Sequence, residues 1–200
     1  MDTFTAIERR RAVKHFDSQY RFTDEEANKI LSLAVLSPTS YNIQNWRFVV
    51  VKDRELRSKI HAASWSQPQV KDASMLVILC GDLMAWKKEP ARYWKNAPKE
   101  VRDYIVPSII KFYEGRNDLQ RDECLRSCGM AAQTIMLAAK SMGYDSCPMI
   151  GFDPARVAEV INLPEDHMIC MMVAIGKAVK EAAPRGGQLP LRDVVLTDHF

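Results

Sequence analysis

Two runs of this sequence, residues 73–80 and 167–177, are apolar almost throughout, and a third, 48–51, is a β-branched run headed by Phe48. Short apolar runs bounded by turn residues are typical of strands that are covered on both faces. Helical patterns stand between them, and no Gly-x-Gly-x-x-Gly or Walker A loop is present. We therefore expect an α+β fold in which a mixed central sheet is flanked by helices.

The helical patterns carry recognisable ends. Residues 25–36 and 54–63 have helical apolar spacing, and Thr23 with Glu26 forms a predicted capping box. Residues 122–142 are apolar around most of the helix circumference, which is typical of a helix at the centre of a fold or at an interface. Gly143 is expected to end that helix in the left-handed conformation.

Four shorter segments complete the expected elements. Residues 2–9 and 153–161 are predicted short helices, residues 65–69 a polar turn, and residues 193–197 a final short strand. These positions leave a single domain spanning residues 1–200.

The middle of the chain, residues 83–122, is the least regular part. Residues 86–120 are rich in Trp, Tyr, Lys and Arg and contain Pro90, Pro98 and Pro107 as expected helix breakers. We interpret this stretch as one or two amphipathic helices. Its aromatic residues form either a satellite hydrophobic cluster or the wall of a pocket, with a lid slightly favoured.

Composition excludes several classes. A net charge of +3 is too small to indicate nucleic-acid binding, and no apolar run reaches the ~20 residues that cross a bilayer. The N-terminus does not resemble a secretory signal, so a cytoplasmic location is expected. Cys124 and Cys128 share a helix face, but no further ligands stand at metal spacing nearby. Packing of reduced thiols therefore explains the five cysteines better than a metal site.

Four short motifs occur in a defined order. They are Arg-Arg-Ala-Val-Lys-x-Phe at 10–16, Ser-Pro-Thr-Ser-x-Asn-x-Gln-x-Trp-Arg-Phe at 37–48, Pro-Met-Ile-Gly-Phe-Asp at 148–153 and Val-Ala-Ile-Gly at 173–176. Together they resemble the nitroreductase family, the FMN-dependent NAD(P)H oxidoreductases, over nearly the whole chain. The resemblance implies an intertwined homodimer with FMN bound between the subunits, and a C-terminal extension that adds a strand to the partner's sheet.

The resemblance assigns the FMN phosphate to the N-terminal basic segment. Arg10 would bind the phosphate through its planar guanidinium, with Arg11 and Ala12 in support. Many relatives have Ser where this chain has Ala12. A second cation is expected near the C-terminus, where family members often have Lys and Arg. Here glycines, including Gly187, occupy those places, and Arg185 is the expected substitute.

The flavin ring would be held by three further groups. Lys14 would lie against N1 and the C2 carbonyl, where a fixed cation favours the reduced form. Gln69 would bind the pyrimidine edge. From the loop, Pro38, Thr39, Ser40 and Asn42 would reach the partner subunit's flavin, with Gln44 supporting the loop.

Pro148, Met149, Ile150 and Gly151 would face the reactive part of the ring with their backbone. The N–H of Ile150 would point at N5 and that of Gly151 at O4. Relatives often have Glu where this chain has Ile150, so a carboxylate-linked proton route is not expected here.

No nucleophile–base pair is evident in the sequence, which fits an enzyme whose cofactor carries the chemistry. We expect two-electron transfer from NADH or NADPH to nitroaromatic, quinone or similar conjugated acceptors by a ping-pong mechanism. Two alternatives stay open. The first is a flavoenzyme of the same superfamily with another reaction, such as a dehydrogenase or dehalogenase. The second is a flavin-binding dimer without enzymatic activity.

Overall fold

The computed structural model describes residues 1–200 and contains four strands, β1 (Trp46–Val50), β2 (Met75–Asp82), β3 (Asp145–Met149) and β4 (His167–Gly176). They form one antiparallel sheet in the order β1-β2-β4-β3. The apolar run at 73–80 forms β2, in which every residue is buried because it lies between two strands and under helices on both faces. This confirms the buried strand expected at 73–80. The strand expected at 167–177 is present as β4, but only its second half is buried.

The prediction of a mixed sheet is wrong for the strands of this chain, because all three pairings are antiparallel. Helices between strands do not by themselves set strand direction. The two helices between β1 and β2 return the chain to the end where β1 finished, so that Val50 pairs with Val77. The one parallel pairing is an isolated bridge between Ala12 and Ser146.

Eight α-helices and two short 3₁₀ segments, Ser40–Asn42 and Pro90–Trp94, surround the sheet. The capping box is present: the Thr23 side chain accepts from the Glu26 N–H, and the Glu26 carboxylate accepts from the Thr23 N–H. The helices are α1 (Thr3–Arg9), α2 (Asp24–Ala34), α3 (Arg54–Ala63), α4 (Pro68–Asp72), α5 (Lys99–Tyr113), α6 (Asn117–Ser141), α7 (Pro154–Val160) and α8 (Leu191–Val194).

The sheet separates two apolar layers. Alternate β2 residues, such as Leu76 and Ile78, pack with the α3 and α7 side, whereas Val77 and Leu79 pack with α2 and α6. This alternation is what a strand buried on both faces requires. The expected helix at 122–142 is confirmed as part of α6, which begins earlier, at Asn117, and is followed by Gly143 with φ of +87°.

The middle segment contains a proline inside a helix, which corrects the expectation that Pro107 breaks it. Pro107 lies within α5, and both it and Asp103, four residues earlier, are exposed. Water can therefore bind the carbonyl that the proline leaves without a donor. Tyr113 and Trp86 are buried in a third apolar cluster under this segment.

Two local predictions are wrong. The expected turn at 65–69 runs into α4, which begins at Pro68, a favoured first helical residue. Helix α8 (Leu191–Val194) overlaps the start of the expected strand at 193–197. Residues 183–200 are exposed. A strand needs a neighbouring strand to pair with, and no strand of this chain lies beside these residues. No helix has both the length and the apolar character needed to span a membrane.

Candidate functional site

The basic segment after α1 lies along the outer edge of β3. Val13 N–H donates to the Ser146 carbonyl at 3.0 Å, and the Val13 side chain is buried. Because side chains alternate in an extended segment, Ala12 and Lys14 face the other way and are exposed. Burial raises the pKa of Cys147 on β3, and the charge of Lys14 opposes that rise. Together with the bridge between Ala12 and Ser146, this places Lys14 beside β3.

The chain leaves β3 with two unused backbone donors. Pro148 and Met149 still pair with β4, but the Ile150 side chain is 80% exposed. The N–H groups of Ile150 and Gly151 donate no hydrogen bond within the chain, while the Ile150 carbonyl accepts from Phe152 N–H at 3.1 Å. Two adjacent free donors at a strand end can bind the acceptor atoms of a ligand.

A relay of amides links Gln69 to this turn. Gln69 Nε2 donates to Gln67 Oε1 at 3.0 Å, and Gln67 Nε2 donates to the Gly151 carbonyl at 2.7 Å. A Cβ on Gly151 would lie 3.1 Å from the Trp65 ring and 3.3 Å from Gln67 Nε2, so glycine permits this close approach. The sequence did not reveal Gln67 or Trp65 as part of this site, because their role depends on contacts with Gly151.

Two buried acceptors near these elements have no partner. Gln69 is 1% exposed and its Oε1 makes no hydrogen bond, and the same holds for Oγ of Ser146, which is 2% exposed. An unpartnered buried polar atom costs about 1–3 kcal/mol. Gln69 Oε1, at the end of the amide relay, therefore fits a site completed by a polar ligand such as the pyrimidine edge of a flavin.

The start of the C-terminal tail brings Arg185 to Arg10. Arg185 Nη2 donates to the carbonyls of Glu8 and Arg10 at 3.0 and 3.3 Å, and the Arg11 guanidinium donates to the Ala183 carbonyl. The Arg10 guanidinium makes no hydrogen bond or ion pair within the chain. Cations bound only to carbonyls keep their net charge, so this corner is suited to a phosphate. Gly187 follows with φ of +135° and no neighbour near its Cβ position.

The loop from Ser37 to Asn45 is bound to a different part of the molecule. Asn42 Nδ2 donates to the Tyr93 carbonyl at 2.9 Å, and Ser40 N–H donates to Glu123 Oε1 of α6 at 2.9 Å. Thr39 Oγ1 accepts from Gln44 N–H at 3.0 Å, in agreement with the supporting position expected of Gln44.

This loop also holds strained backbone. Tyr41, Asn42 and Gln44 have φ of 51°, 54° and 43°, a left-handed conformation that is costly for residues with a Cβ and is common at binding sites. Pro38 lies exposed at its start. The loop leads into β1, whereas the basic segment lies along β3, at the opposite edge of the sheet. No hydrogen bond connects the loop to Arg10, Lys14 or the turn after β3, so one chain holds the two groups of predicted site residues apart.

A buried carboxylate that the sequence did not single out positions this loop. The Asp82 side chain is 1% exposed and pairs with Arg47 and Lys88, each at 2.9 Å. Arg47 Nη1 also donates to the Gln44 carbonyl at 2.9 Å, and Asp82 N–H donates to the Asn45 carbonyl at 2.7 Å. The ion pair thus joins the loop to the end of β2.

Lys88 extends this network to Asp166, at 2.6 Å, and Asp166 contacts His167. The hydrogen bond from Lys88, followed by the one from His167, holds the pKa of Asp166 below its usual value. Asp82, Asp166 and His167 are close enough together to resemble metal ligands. Arg47 and Lys88 already neutralise the two carboxylates, which makes the cluster an ion-pair network.

The five cysteine thiols are free, and four of them are buried. Cys128 and Cys170 donate weakly to the carbonyls of Cys80 and Cys124, each at 3.6 Å. Burial raises the pKa of Cys80 and of Cys124 to about 12. Cys80 and Cys124 are therefore protonated packing groups between α6 and the sheet.

Comparisons with known proteins give the same family from sequence and from structure. The model of the nitroreductase family matches residues 7–177. Protein DrgA of Synechocystis sp. is 53% identical, over 96% of this chain and 93% of that protein. An oxygen-insensitive NADPH nitroreductase of Helicobacter pylori is 35% identical, over 90% of this chain and 89% of its own length.

Among solved structures, a protein from Exiguobacterium sibiricum, described as a nitroreductase in complex with FMN, is 30% identical. It superposes with a TM-score of 0.91, over 98% of this chain and 97% of that one. The sequence matches and this superposition both extend over nearly the full chain. On these grounds the chain belongs to the nitroreductase family and is an oxidoreductase of the NAD(P)H-dependent kind.

Proposed function

We propose that the protein is an FMN-dependent homodimer that transfers two electrons from NADH or NADPH to nitroaromatic, quinone or similar conjugated acceptors. The observation that carries the proposal is the pair of free N–H groups on Ile150 and Gly151 at the end of β3. If the register of the Ala12–Ser146 bridge continues, Lys14 is level with Pro148, two residues before Ile150. A fixed cation and two donors at one strand end suit the electron-rich edge of a reduced flavin.

Each part of FMN has proposed partners. Arg10 and Arg185 would bind the phosphate, with Arg11, Ala12 and Gly187 around them. Lys14 would stabilise charge on the pyrimidine side of the ring, and the unpartnered Oε1 of Gln69 would accept from the ring N–H. These contacts involve fixed groups that need not titrate, so binding and orientation are the contribution of the protein.

The second subunit would supply the loop residues Pro38, Thr39, Ser40 and Asn42, which one chain holds away from Lys14. Two large apolar side chains that α6 leaves partly exposed support a dimer: Leu125 and Met130 are 37% and 39% exposed. Large apolar side chains on a central helix are typical of an interface. The exposed C-terminal tail would extend onto the partner's sheet.

We further propose one FMN-binding domain over residues 1–200, with residues 83–122 as a variable lid. The hydrogen bond from Asn42 to Tyr93 supports a lid that is connected to the loop from Ser37 to Asn45. Free, buried thiols fit a reducing compartment such as the cytoplasm.

When bound, FMN supplies a hydride acceptor at N5 and then reduces the second substrate. The residues of the chain would shape the slot in which the two substrates bind in turn. Ile150 and Trp65 are 80% and 67% exposed on either side of Gly151, and their apolar surfaces would receive a flat conjugated molecule. With no side-chain acid present at Ile150, the proton for the acceptor would come from water.

Flavin affinity tests the proposal. Replacing Arg10→Ala should raise the FMN dissociation constant about 30-fold, as expected for loss of a charge-assisted hydrogen bond of ~2 kcal/mol. Arg9→Ala is the matched control, because Arg9 is exposed and adjacent but makes no ion pair. Affinity is measured by flavin fluorescence. A colourless protein that does not bind FMN, or an Arg10→Ala variant with unchanged affinity, would contradict the proposal.

Stopped-flow kinetics test the reaction. NADH and NADPH should each be mixed with the FMN-loaded protein and followed at the flavin absorbance, and menadione or nitrofurazone then added. Rapid reduction followed by rapid reoxidation with the acceptor supports the ping-pong mechanism. Reduction without turnover would instead indicate one of the other reactions of the superfamily.

A further inference from the structure

The turn between α3 and α4, residues 64–67, holds the amide relay in a strained conformation. Trp65 and Ser66 have φ of 51° and 54°, the left-handed region that is costly for residues with a Cβ. Gln67 is the residue before α4, where Ser, Thr, Asp or Asn usually caps a helix, and its side chain makes no capping hydrogen bond. Local stability therefore does not explain Gln67 at this position. Its side chain reaches instead to Gly151, 84 residues away.

The Gln67 amide is part of a double connection between this turn and the turn after β3. Gln67 Nε2 donates to the Gly151 carbonyl at 2.7 Å, and Asp153 N–H donates to the Ala63 carbonyl at 2.8 Å. Two hydrogen bonds, two residues apart along the turn, restrict its movement. Gln67 is therefore held in place relative to the backbone that carries the free N–H groups of Ile150 and Gly151.

The direction of the relay is set at its Gly151 end. A backbone carbonyl can only accept, so the Gln67 group that faces it must be the NH2 group, Nε2. That orientation leaves Gln67 Oε1 to accept from Gln69 Nε2 at 3.0 Å. Gln69 in turn presents Oε1, the buried atom that has no partner. The carbonyl of Gly151 thus determines that Gln69 offers a ligand an acceptor and not a donor.

Amide orientation decides which part of a flavin Gln69 can recognise. The two orientations of an amide side chain have nearly the same shape, so its hydrogen-bond partners determine which one is adopted. On the pyrimidine edge of a flavin, N3–H is a donor that lies between two acceptors, the carbonyl oxygens O2 and O4. An acceptor at Gln69 matches N3–H, whereas an NH2 group in the same place would face it with a second donor.

We propose that Gln67 is a positioning residue, which fixes Gln69 in the orientation that accepts a hydrogen bond from flavin N3–H. The inference rests on the proposed FMN-dependent function and adds to it a residue that acts through Gln69 and Gly151. Because one amide binds both of them, Gln67 also sets the position of Gln69 Oε1 relative to the free N–H groups of the turn after β3.

Competition between FMN and 3-methyl-FMN tests the inference, because the methyl group removes the N3–H donor. The FMN-loaded protein is incubated with 3-methyl-FMN, and chromatography of the bound flavin gives the ratio of the two dissociation constants. Wild-type protein should prefer FMN at least about tenfold, which corresponds to ~1.4 kcal/mol. Gln67→Met keeps the length of the side chain and removes its amide. The preference should then fall to about threefold or less, because Gln69 is free to adopt either orientation.

Two further variants separate positioning from damage to the fold. Gln69→Met removes the acceptor itself and should reduce the preference as far as Gln67→Met does, and the double variant should reduce it no further. Gln19→Met is the matched control for the substitution, because Gln19 is exposed and its side-chain amide makes only a 3.5 Å contact with Ser18. The control should keep the wild-type preference.

Gln67→Glu offers a rescue that depends on pH. A protonated carboxyl group can donate to the Gly151 carbonyl and accept from Gln69, as the amide does, whereas a carboxylate can only accept. The carbonyl oxygen opposes the charged form, so the pKa of the substituted side chain should lie above its usual value of ~4.3. The preference for FMN should therefore return as the pH falls toward about 5 and be lost near about pH 8. Both flavins carry the same phosphate, so its titration does not change the ratio.

Each outcome decides a different point. A preference that falls in Gln67→Met and returns in Gln67→Glu at low pH supports the inference. Equal weakening of both flavins, with an unchanged preference, means that Gln67 only stabilises the turn and overturns the inference. If the wild type has no preference, or Gln69→Met keeps it, Gln69 is not the acceptor; the inference is then wrong and the proposed function stands. A wild-type protein that binds neither flavin contradicts the proposed function, and the inference with it.

Discussion

Strand β2 and the C-terminal tail are both rich in aliphatic residues, yet their environments are opposite. Every residue of β2 is buried, whereas residues 183–200 are all exposed. β2 lies between β1 and β4 and under α6, so its backbone and side chains are satisfied by its own chain. Beyond the hydrogen bonds of Ala183 and Arg185 with the N-terminal basic segment, the tail has no such neighbours. Apolar composition therefore indicates that a segment will be buried, but not by which chain.

The largest effect is expected where β2 meets α6. A Cβ on Gly81 would lie 2.4 Å from Cys124 Cβ and 2.7 Å from its Sγ, inside a region with no free space. Gly81→Ala should therefore lower the free energy of unfolding by about 3 kcal/mol. Gly186→Ala in the tail has nothing near its Cβ and should change it by less than about 0.5 kcal/mol. Urea denaturation measures both, and equal effects would remove the distinction between the two regions.

A smaller loss is expected at the end of β2. Asp82→Asn removes a buried charge from Arg47 and Lys88, which are themselves more than a third exposed, so the cost should be about 2 kcal/mol. Because Arg47 also donates to the Gln44 carbonyl, the loop from Ser37 to Asn45 should become more mobile in this variant. Hydrogen exchange in residues 39–45 measures that effect. Lys52→Met, which removes an exposed pair with Asp24, is the control.

Removing the tail should affect association more than folding. Deletion of residues 190–200 should leave the far-ultraviolet circular dichroism almost unchanged, since the deleted part makes no packing contacts with its own chain. The dissociation constant of the proposed dimer should rise at least about tenfold, or ~1.4 kcal/mol. Sedimentation at several protein concentrations measures the constant. Loss of secondary structure would show that the tail supports the subunit directly.

The smallest effect concerns acid. Lys88 and His167 lower the pKa of Asp166, so the folded state holds its proton less tightly than the unfolded state. The stabilisation is therefore complete above the usual pKa of 3.8 and is lost as the pH falls through the lower folded-state value. Asp166→Asn should make the decline of stability below about pH 4 shallower. Thermal denaturation between neutral and acidic pH checks the slope, and an unchanged slope would contradict the assignment.

Much of the fold could be predicted because its determinants are local. The apolar run at 73–80 gave a buried strand, Thr23 and Glu26 gave a capped helix start, and Gly143 gave a helix end. The prediction that Pro107 breaks the helix was wrong because Pro107 and Asp103 are both exposed. Water can therefore bind the Asp103 carbonyl that the proline leaves without a donor. The final strand misled because a β-strand depends on a neighbour that the local pattern does not contain.

The candidate site divides in the same way. Arg10, Lys14, Asn42 and Gly151 were predicted from motif order, which is a property of the chain. The ion pair of Asp82 with Arg47 and the amide relay from Gln69 through Gln67 to Gly151 were not, because Arg47 is 35 residues from Asp82 and Gly151 is 84 residues from Gln67. A lone Asp at the end of an apolar strand carries no signal for its two cations.

The sequence by itself determined which segments are buried strands, where several helices start and stop, and which family the motifs resemble, since these follow from side-chain chemistry and spacing over a few residues. Only the tertiary structure decided that the sheet is antiparallel, that the loop from Ser37 to Asn45 is held by Asp82 and Arg47, and that the two groups of predicted site residues stay apart within one chain. The physical reason is that strand direction and ion pairing are set by contacts between distant residues, whose energies depend on where the whole chain brings them.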